Sequence, residues 1–131
     1  MTEGLTIAEA AERLGLSTDA LRYYERDGLL LRPVGRAASG HRRYSAPDLR
    51  WIELVTRLRS TGMTIRDVRR YADLVRAGDG TEADRLELLR EHRRTVLARL
   101  AEVQDHLGAI DHKIGLYTEA LEAREQGPGA A

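Results

Sequence analysis

Apolar residues recur along this chain in two rhythms, and each marks a different kind of helix. Up to Ala77 they come in short bursts with steps of three and four, separated by Gly15, Gly28, Gly62 and Gly78. Beyond Gly80 one rhythm runs on without a break. Leu86, Leu89, Arg93, Val96, Leu100, Val103, Leu107, Ile110, Ile114, Tyr117 and Leu121 alternate in steps of three and four, with only Arg93 polar. Together the bursts predict helices over 7–14, 18–27, 46–60, 65–77 and 82–124. Four of these begin where a hydroxyl precedes a carboxylate by three residues: Thr6 and Glu9, Ser45 and Asp48, Thr64 and Asp67, Thr81 and Asp84. In that arrangement each side chain can satisfy a backbone N–H group left open by a helix start. Ser17 supplies the remaining cap.

The long rhythm is a heptad seam, and it has a consequence for assembly. A helix over 82–124 is about 60 Å long, far too long to bury its stripe against a domain of fewer than 80 residues. It needs a partner, and a second copy of the chain is the simplest one. Arg93 breaks the seam in the way that sets register or orientation at some cost in stability. The flanking column Arg85, His92, Arg99, His106, Lys113 and Ala120 is nearly all basic, which leaves the orientation of the pair open.

The first two helices are spaced as a helix-turn-helix. Ala11 lets the helices cross closely, Gly15 takes the turn, and Leu21 anchors the second helix. That second helix presents Thr18, Asp19, Arg22, Tyr23 and Arg26, with Ser17 at its start. Donors, a ring and cations are what a helix needs beside phosphates and base edges. Between Leu29 and Tyr44 the helical rhythm stops. Leu29–Leu31 and Arg42–Tyr44 read as two short extended pieces around a Gly-rich turn, the wing of a winged helix. Arg32, Arg36, His41, Arg42 and Arg43 crowd it with no acid among them, so the wing should seek an anionic partner. In the next helices Leu49, Ile52, Val55 and Leu58, widened by Trp51 and Leu54, and then Ile65, Val68, Ala72 and Val75, are expected to build the core.

Charge sharpens this division. The net charge is zero, but residues 1–78 hold fourteen Arg against ten acids, and residues 79–131 hold seven bases against eleven acids. A basic half joined to an acidic half suggests a polyanion partner for the first and another task for the second. The expected organisation is therefore mainly α. A winged helix-turn-helix DNA-binding domain spans 1–78, a coiled-coil dimerisation helix 79–125 and a disordered tail 126–131. The chain has no cysteine, which excludes disulfides and thiolate metal sites. No apolar run approaches membrane length and no signal-peptide pattern opens the chain, so a cytoplasmic location without membrane contact is expected. His92, His106 and His112 are 14 and 6 residues apart, which does not gather them on one helical face. They read as solvated side chains, and no metal or other cofactor is expected. Nor is an enzyme, since no catalytic constellation or phosphate loop is recognisable. A coiled-coil adaptor that binds protein would explain the heptads but not the cationic wing.

Three stretches carry a resemblance to a known family: L-R-Y-Y-E-R-D-G-L-L (Leu21 to Leu30), S-G-H-R-R-Y (Ser39 to Tyr44), and the run from Asp48 to Ile65 containing D-L-R-W-I and L-R-S-T-G-M-T-I. In these, and in element order from Leu5 to Tyr117, the chain resembles the MerR family of transcriptional regulators. The resemblance implies a homodimer with antiparallel long helices on a pseudo-palindromic element of double-stranded promoter DNA. It also implies control of RNA polymerase by distortion of that DNA. By the same motifs, Arg22 and Tyr23 would touch DNA from the second helix, and Arg42, Arg36, His41 and Tyr44 from the wing. Tyr24 is either a further contact or core. From Asp48 onward the chain is similar to the branch that answers aldehydes and other electrophiles. That branch carries a reactive cysteine near the stretch occupied here by Thr56 to Ser60, T-R-L-R-S, so its sensing chemistry does not carry over. The small-molecule effector stays unnamed.

Overall fold

Capping chemistry sets the helix starts. In the computed structural model, which describes residues 4–127, the helices are α1 (Ile7–Leu14), α2 (Thr18–Arg26), α3 (Ala46–Ser60), α4 (Ile65–Ala77) and α5 (Glu82–Gln126). Thr6 with Glu9, and Ser45 with Asp48, each form the reciprocal pair of side-chain to backbone hydrogen bonds. Ser17 and Thr64 accept from the N–H groups of Ala20 and Asp67. Thr81 behaves differently from its expected capping role: its hydroxyl donates to the carbonyls of Leu74 and Gly78, closing the end of α4. Gln126, expected in the tail, is the last residue of α5, and residues 128–131 lie outside the described residues.

The chain falls into two compact units that divide between His92 and Arg93. In the first, α1 and α2 meet through a tight joint. Gly15 sits at φ 69°, a left-handed conformation that a side chain would strain, and the Leu16 N–H closes back on the Ala11 carbonyl at 3.0 Å. Ala11 and Leu21 are buried, as the helix-turn-helix spacing expects. Trp51, Ile52, Val55 and Leu58 of α3 and Val68 and Ala72 of α4 complete the core, with Leu49, Leu54, Ile65 and Val75 partly buried around it.

The wing is shorter than expected and is displaced along the chain. Its strands are β1 (Gly35–Arg36) and β2 (Arg42–Arg43), paired antiparallel, and Leu5 bridges to Tyr44 at the far side. Gly4 permits that approach, because a Cβ there would stand 2.6 Å from the Tyr44 carbonyl oxygen. Leu29–Leu31 do not pair as a strand. Leu29 and Leu30 are buried, and the carbonyls of this loop are taken by side chains from later helices. Trp51 Nε1 donates to the Leu29 carbonyl at 2.8 Å. The Arg76 guanidinium donates to the carbonyls of Gly28 (2.8 Å), Leu31 (3.0 Å) and Leu30. Those carbonyls are thereby held by side chains, as a strand partner would otherwise hold them.

The first turns of α5 belong to the first unit. Leu88, off the heptad seam, is buried in its core, and Leu89 packs against it. His92, expected in solvent, lies 2.8 Å from the Thr61 hydroxyl. The second unit is the rest of α5, and none of its described side chains is buried. Its seam is open: Leu100 is 49% exposed, Leu107 52%, Ile110 56% and Ile114 57%.

Candidate nucleic-acid interface

The exposed side of α2 and the wing form one charged surface, and a single acid joins them. Arg22 is exposed, with its guanidinium steadied by the Asp19 carboxylate (3.2 Å) and the Thr18 hydroxyl (3.4 Å). Arg26 is exposed on the next turn. Ser17 uses its oxygen as the acceptor for the α2 cap, leaving its hydroxyl proton able to donate outward. Tyr23 is half-buried beside Tyr24, their ring centres 6.2 Å apart. A hydrogen bond with the Asp27 carboxylate pushes the Tyr23 phenol above the ordinary tyrosine range. Tyr24 is buried, so of the two places open to it, it takes the core.

On the wing, Arg42 donates from Nε to Glu25 of α2 at 2.5 Å. Arg36 reaches the other oxygen of the same carboxylate at 3.7 Å and donates to the Gly40 carbonyl at 2.9 Å. His41 is exposed at the turn. The expectation that no acid relieves the wing is therefore corrected. Glu25 comes from α2, and Asp48 of α3 stands 3.9 Å from Arg32. Both acids are distant enough in sequence that a reading of the wing alone misses them. The bond to Glu25 raises the pKa of Arg42 further, so its charge is permanent.

Tyr44 is the second correction. Its side chain is fully buried and its hydroxyl has no hydrogen-bond partner among the described residues. Burial pushes its pKa up, with Glu25 adding to the effect and Arg42, Arg22 and Arg36 opposing it. Those three arginines thus lie within electrostatic reach of one ring, which shows how closely α2 and the wing converge. Tyr44 itself packs beneath the surface. Removing a buried hydroxyl that lacks a partner relieves a desolvation penalty. Tyr44→Phe should therefore melt at the same temperature or a few degrees higher, and keep its DNA affinity within about twofold. A tenfold loss of affinity in a gel-shift titration would return Tyr44 to the contact surface.

Two residues beyond the sequence reading also support α2. Arg69 of α4 donates to the Asp27 carbonyl at 3.0 Å and to its carboxylate at 3.2 Å, fastening the end of α2. The spacing of four between Tyr23 and Asp27 is a helix-face signal that sequence alone carries. Arg69 carries no such signal, since its partner is 42 residues away. Among the described residues no group of three or more His, Asp or Glu side chains is placed to hold a metal ion, and no helix is long and apolar enough to cross a membrane.

The dimerisation candidates divide between the units. Leu86 is 48% exposed and Leu89 is half-buried, both in the first unit. Arg93, Val96, Leu100, Val103, Leu107, Ile110 and Ile114 follow on the second, with Val96 alone of these half-buried. From Leu100 to Leu121 the apolar seam is turned to solvent in the single chain.

Comparison with known proteins agrees with this geometry. Residues 5–74 match the MerR HTH family of regulatory proteins, and residues 49–114 match the family described as MerR, DNA binding. An HTH-type transcriptional regulator of Haemophilus influenzae is 37% identical over 115 residues, covering 88% of this chain and 84% of that one. A MerR family transcriptional regulator from Listeria monocytogenes is 40% identical and superimposes with a TM-score of 0.86 over 94% of this chain and 93% of its own. HiNmlR, a MerR family regulator lacking the sensor domain and solved bound to promoter DNA, is 36% identical with a TM-score of 0.81, over 92% of this chain and 94% of its own. A helix-turn-helix with a cationic wing, followed by a long helix, here accompanies family matches that together span nearly the whole chain: it belongs to the MerR family of DNA-binding transcriptional regulators.

Proposed function

We propose that this regulator works as a homodimer on a pseudo-palindromic promoter element in the cytoplasm, and that it controls RNA polymerase by distorting the promoter spacer. The observation that carries the reading is the joining of α2 to the wing through Glu25. It gives a half-site reader with a base-reading helix and a phosphate-gripping flank held as one piece. The open seam of α5 supports pairing with a second copy, and the promoter-bound relative supports the target. In this scheme Arg22, Tyr23 and Arg26, with Ser17 and Thr18, meet the major groove. Arg36, His41 and Arg42 meet the backbone beside it. Leu86 to Ile114 form the dimer seam, with Arg93 setting register. A head over 1–78 and a helix over 79–125 divide these tasks, although the head also draws on the first turns of α5 for its core.

Two variants test the division of labour, using a duplex selected from a random pool by the wild-type protein and a scrambled duplex of equal composition. Arg22→Ala should cost about 1–3 kcal/mol on the selected duplex and relax preference at one position per half-site. Arg42→Ala should weaken binding to the selected duplex without changing base preference at any position, and lower its salt slope by about one. Equal losses on both duplexes for Arg22→Ala would reduce that residue to a backbone contact.

A further inference from the structure

A carboxylate in the middle of a surface built for phosphates is out of place unless it does something. Glu25 lies on the same helix as Arg22 and Arg26, three residues after the first and one before the second. Its two oxygens reach two wing arginines, Arg42 at 2.5 Å and Arg36 at 3.7 Å. The Glu25 and Arg42 side chains are 21% and 26% exposed, so water screens this pair less than an ordinary surface pair. A charge-assisted bond of this length in partial shelter is a real competitor for the guanidinium. The bond to Glu25 uses Nε, so the terminal nitrogens of Arg42 are not committed by it.

We propose that Glu25 sets the discrimination between operator and other DNA, by holding the wing arginines until a correctly placed phosphate recruits them. The inference rests on the DNA-reading role argued above. On a duplex of the wrong sequence α2 cannot seat, no phosphate is presented in line with the wing, and Arg42 stays with the carboxylate. It then displaces no counterion from the DNA. On the operator, α2 fixes the register, a phosphate comes within reach of the terminal nitrogens, and Arg42 joins the contact. Glu25 is thus a specificity-determining residue that acts through the arginines.

Glu25→Gln keeps the shape of the side chain and removes its charge. On the scrambled duplex the variant should bind more tightly than wild type, and its salt slope should rise by about one. Between 50 and 200 mM salt that steepens the loss of affinity by about threefold. On the selected duplex the slope should stay as in wild type, so the ratio of the two affinities falls. Circular dichroism melts run alongside establish that the variant is folded. In an Arg42→Ala background the same substitution should change scrambled-duplex binding much less, because the arginine it releases is gone. An unchanged affinity ratio in folded Glu25→Gln overturns the proposal. So does a parallel loss on both duplexes, which would make Glu25 a support for the wing only. An effect undiminished without Arg42 also overturns it, since that is the result of net charge alone. If wild-type protein itself selects no duplex from the pool, the DNA-reading role fails instead, and the two failures are told apart.

Discussion

A chain ended after His92 should sediment as a monomer and bind a two-half-site duplex about 10²–10⁴-fold more weakly than the full chain. The expected loss comes from valency, since each head keeps its contacts but no longer brings its neighbour with it. In the proposed dimer the seam would supply the driving force. Fully burying a Leu, Val or Ile side chain is worth about 1.5–3 kcal/mol, and Leu100, Val103, Leu107, Ile110 and Ile114 all stand at least 49% exposed in the single chain. The position of the cut matters. Ending at Gly78, where the composition changes, would remove Leu88 and Leu89 from the core of the head, and weak binding could then reflect unfolding. Ending at His92 retains both, together with the His92–Thr61 contact. Leu107→Lys in the full chain reaches the same state by another route, placing a charge in the seam while leaving the head untouched. Sedimentation at twice the 14.7 kDa chain mass for wild type, and at the single-chain mass for this variant, is the expected pair of results. A dimeric Leu107→Lys, or a truncated chain that binds like the full one, would remove α5 from the role given to it.

What could be read from the sequence, and what could not, follows from the range of the interactions involved. Helix starts were legible because a cap is local: Thr6 and Glu9 are three residues apart and need nothing else. The length of α5 was legible because a step of three and four repeated over so many turns fits one continuous helix. The wing was harder. Leu29–Leu31 look like a strand, since three apolar residues in a row fit one, yet the acceptors of their loop are captured by Trp51 and by Arg76, 22 to 48 residues further on. The charge of the wing was misjudged for the same reason, because Glu25 lies 17 residues before its Arg42 partner. Tyr44 shows a different ambiguity. A ring that ends a basic run looks like a contact residue, and its full burial in the core, beside the Leu5 bridge, is set by residues distant in sequence. Leu88 was hidden by the regularity of its own helix: the heptad places it off the seam, and the head needs it on another face.

Shortening the target promoter's spacer by a base pair or two should make the promoter strong without this protein, and the bound protein should then hinder it. Two readers fixed to a paired α5 can grip a duplex on either side of its centre without touching the middle. A dimer of that form can bend and untwist the uncontacted base pairs, the bend costing about 1–6 kcal/mol. In the proposed complex the outer contacts of Arg22, Arg26, Arg36 and Arg42 in each head would repay that cost. Untwisting helps only a promoter whose two polymerase elements are held too far round the helix from each other. Each additional base pair rotates them by roughly 35°, a full turn taking about 10.5 base pairs. The operator should therefore lie between those elements in an overlong spacer. In a reporter series with the spacer shortened stepwise, cells with the gene should show activation at the native length and repression at the shortened one. Cells without it should show the opposite order of promoter strength, weak at native length and strong when shortened. A shortened promoter that stays weak, or that still depends on the protein, would mean that torsion is not its means of control. Occlusion of polymerase by the bound dimer would then account for regulation, and affinity alone would set its strength.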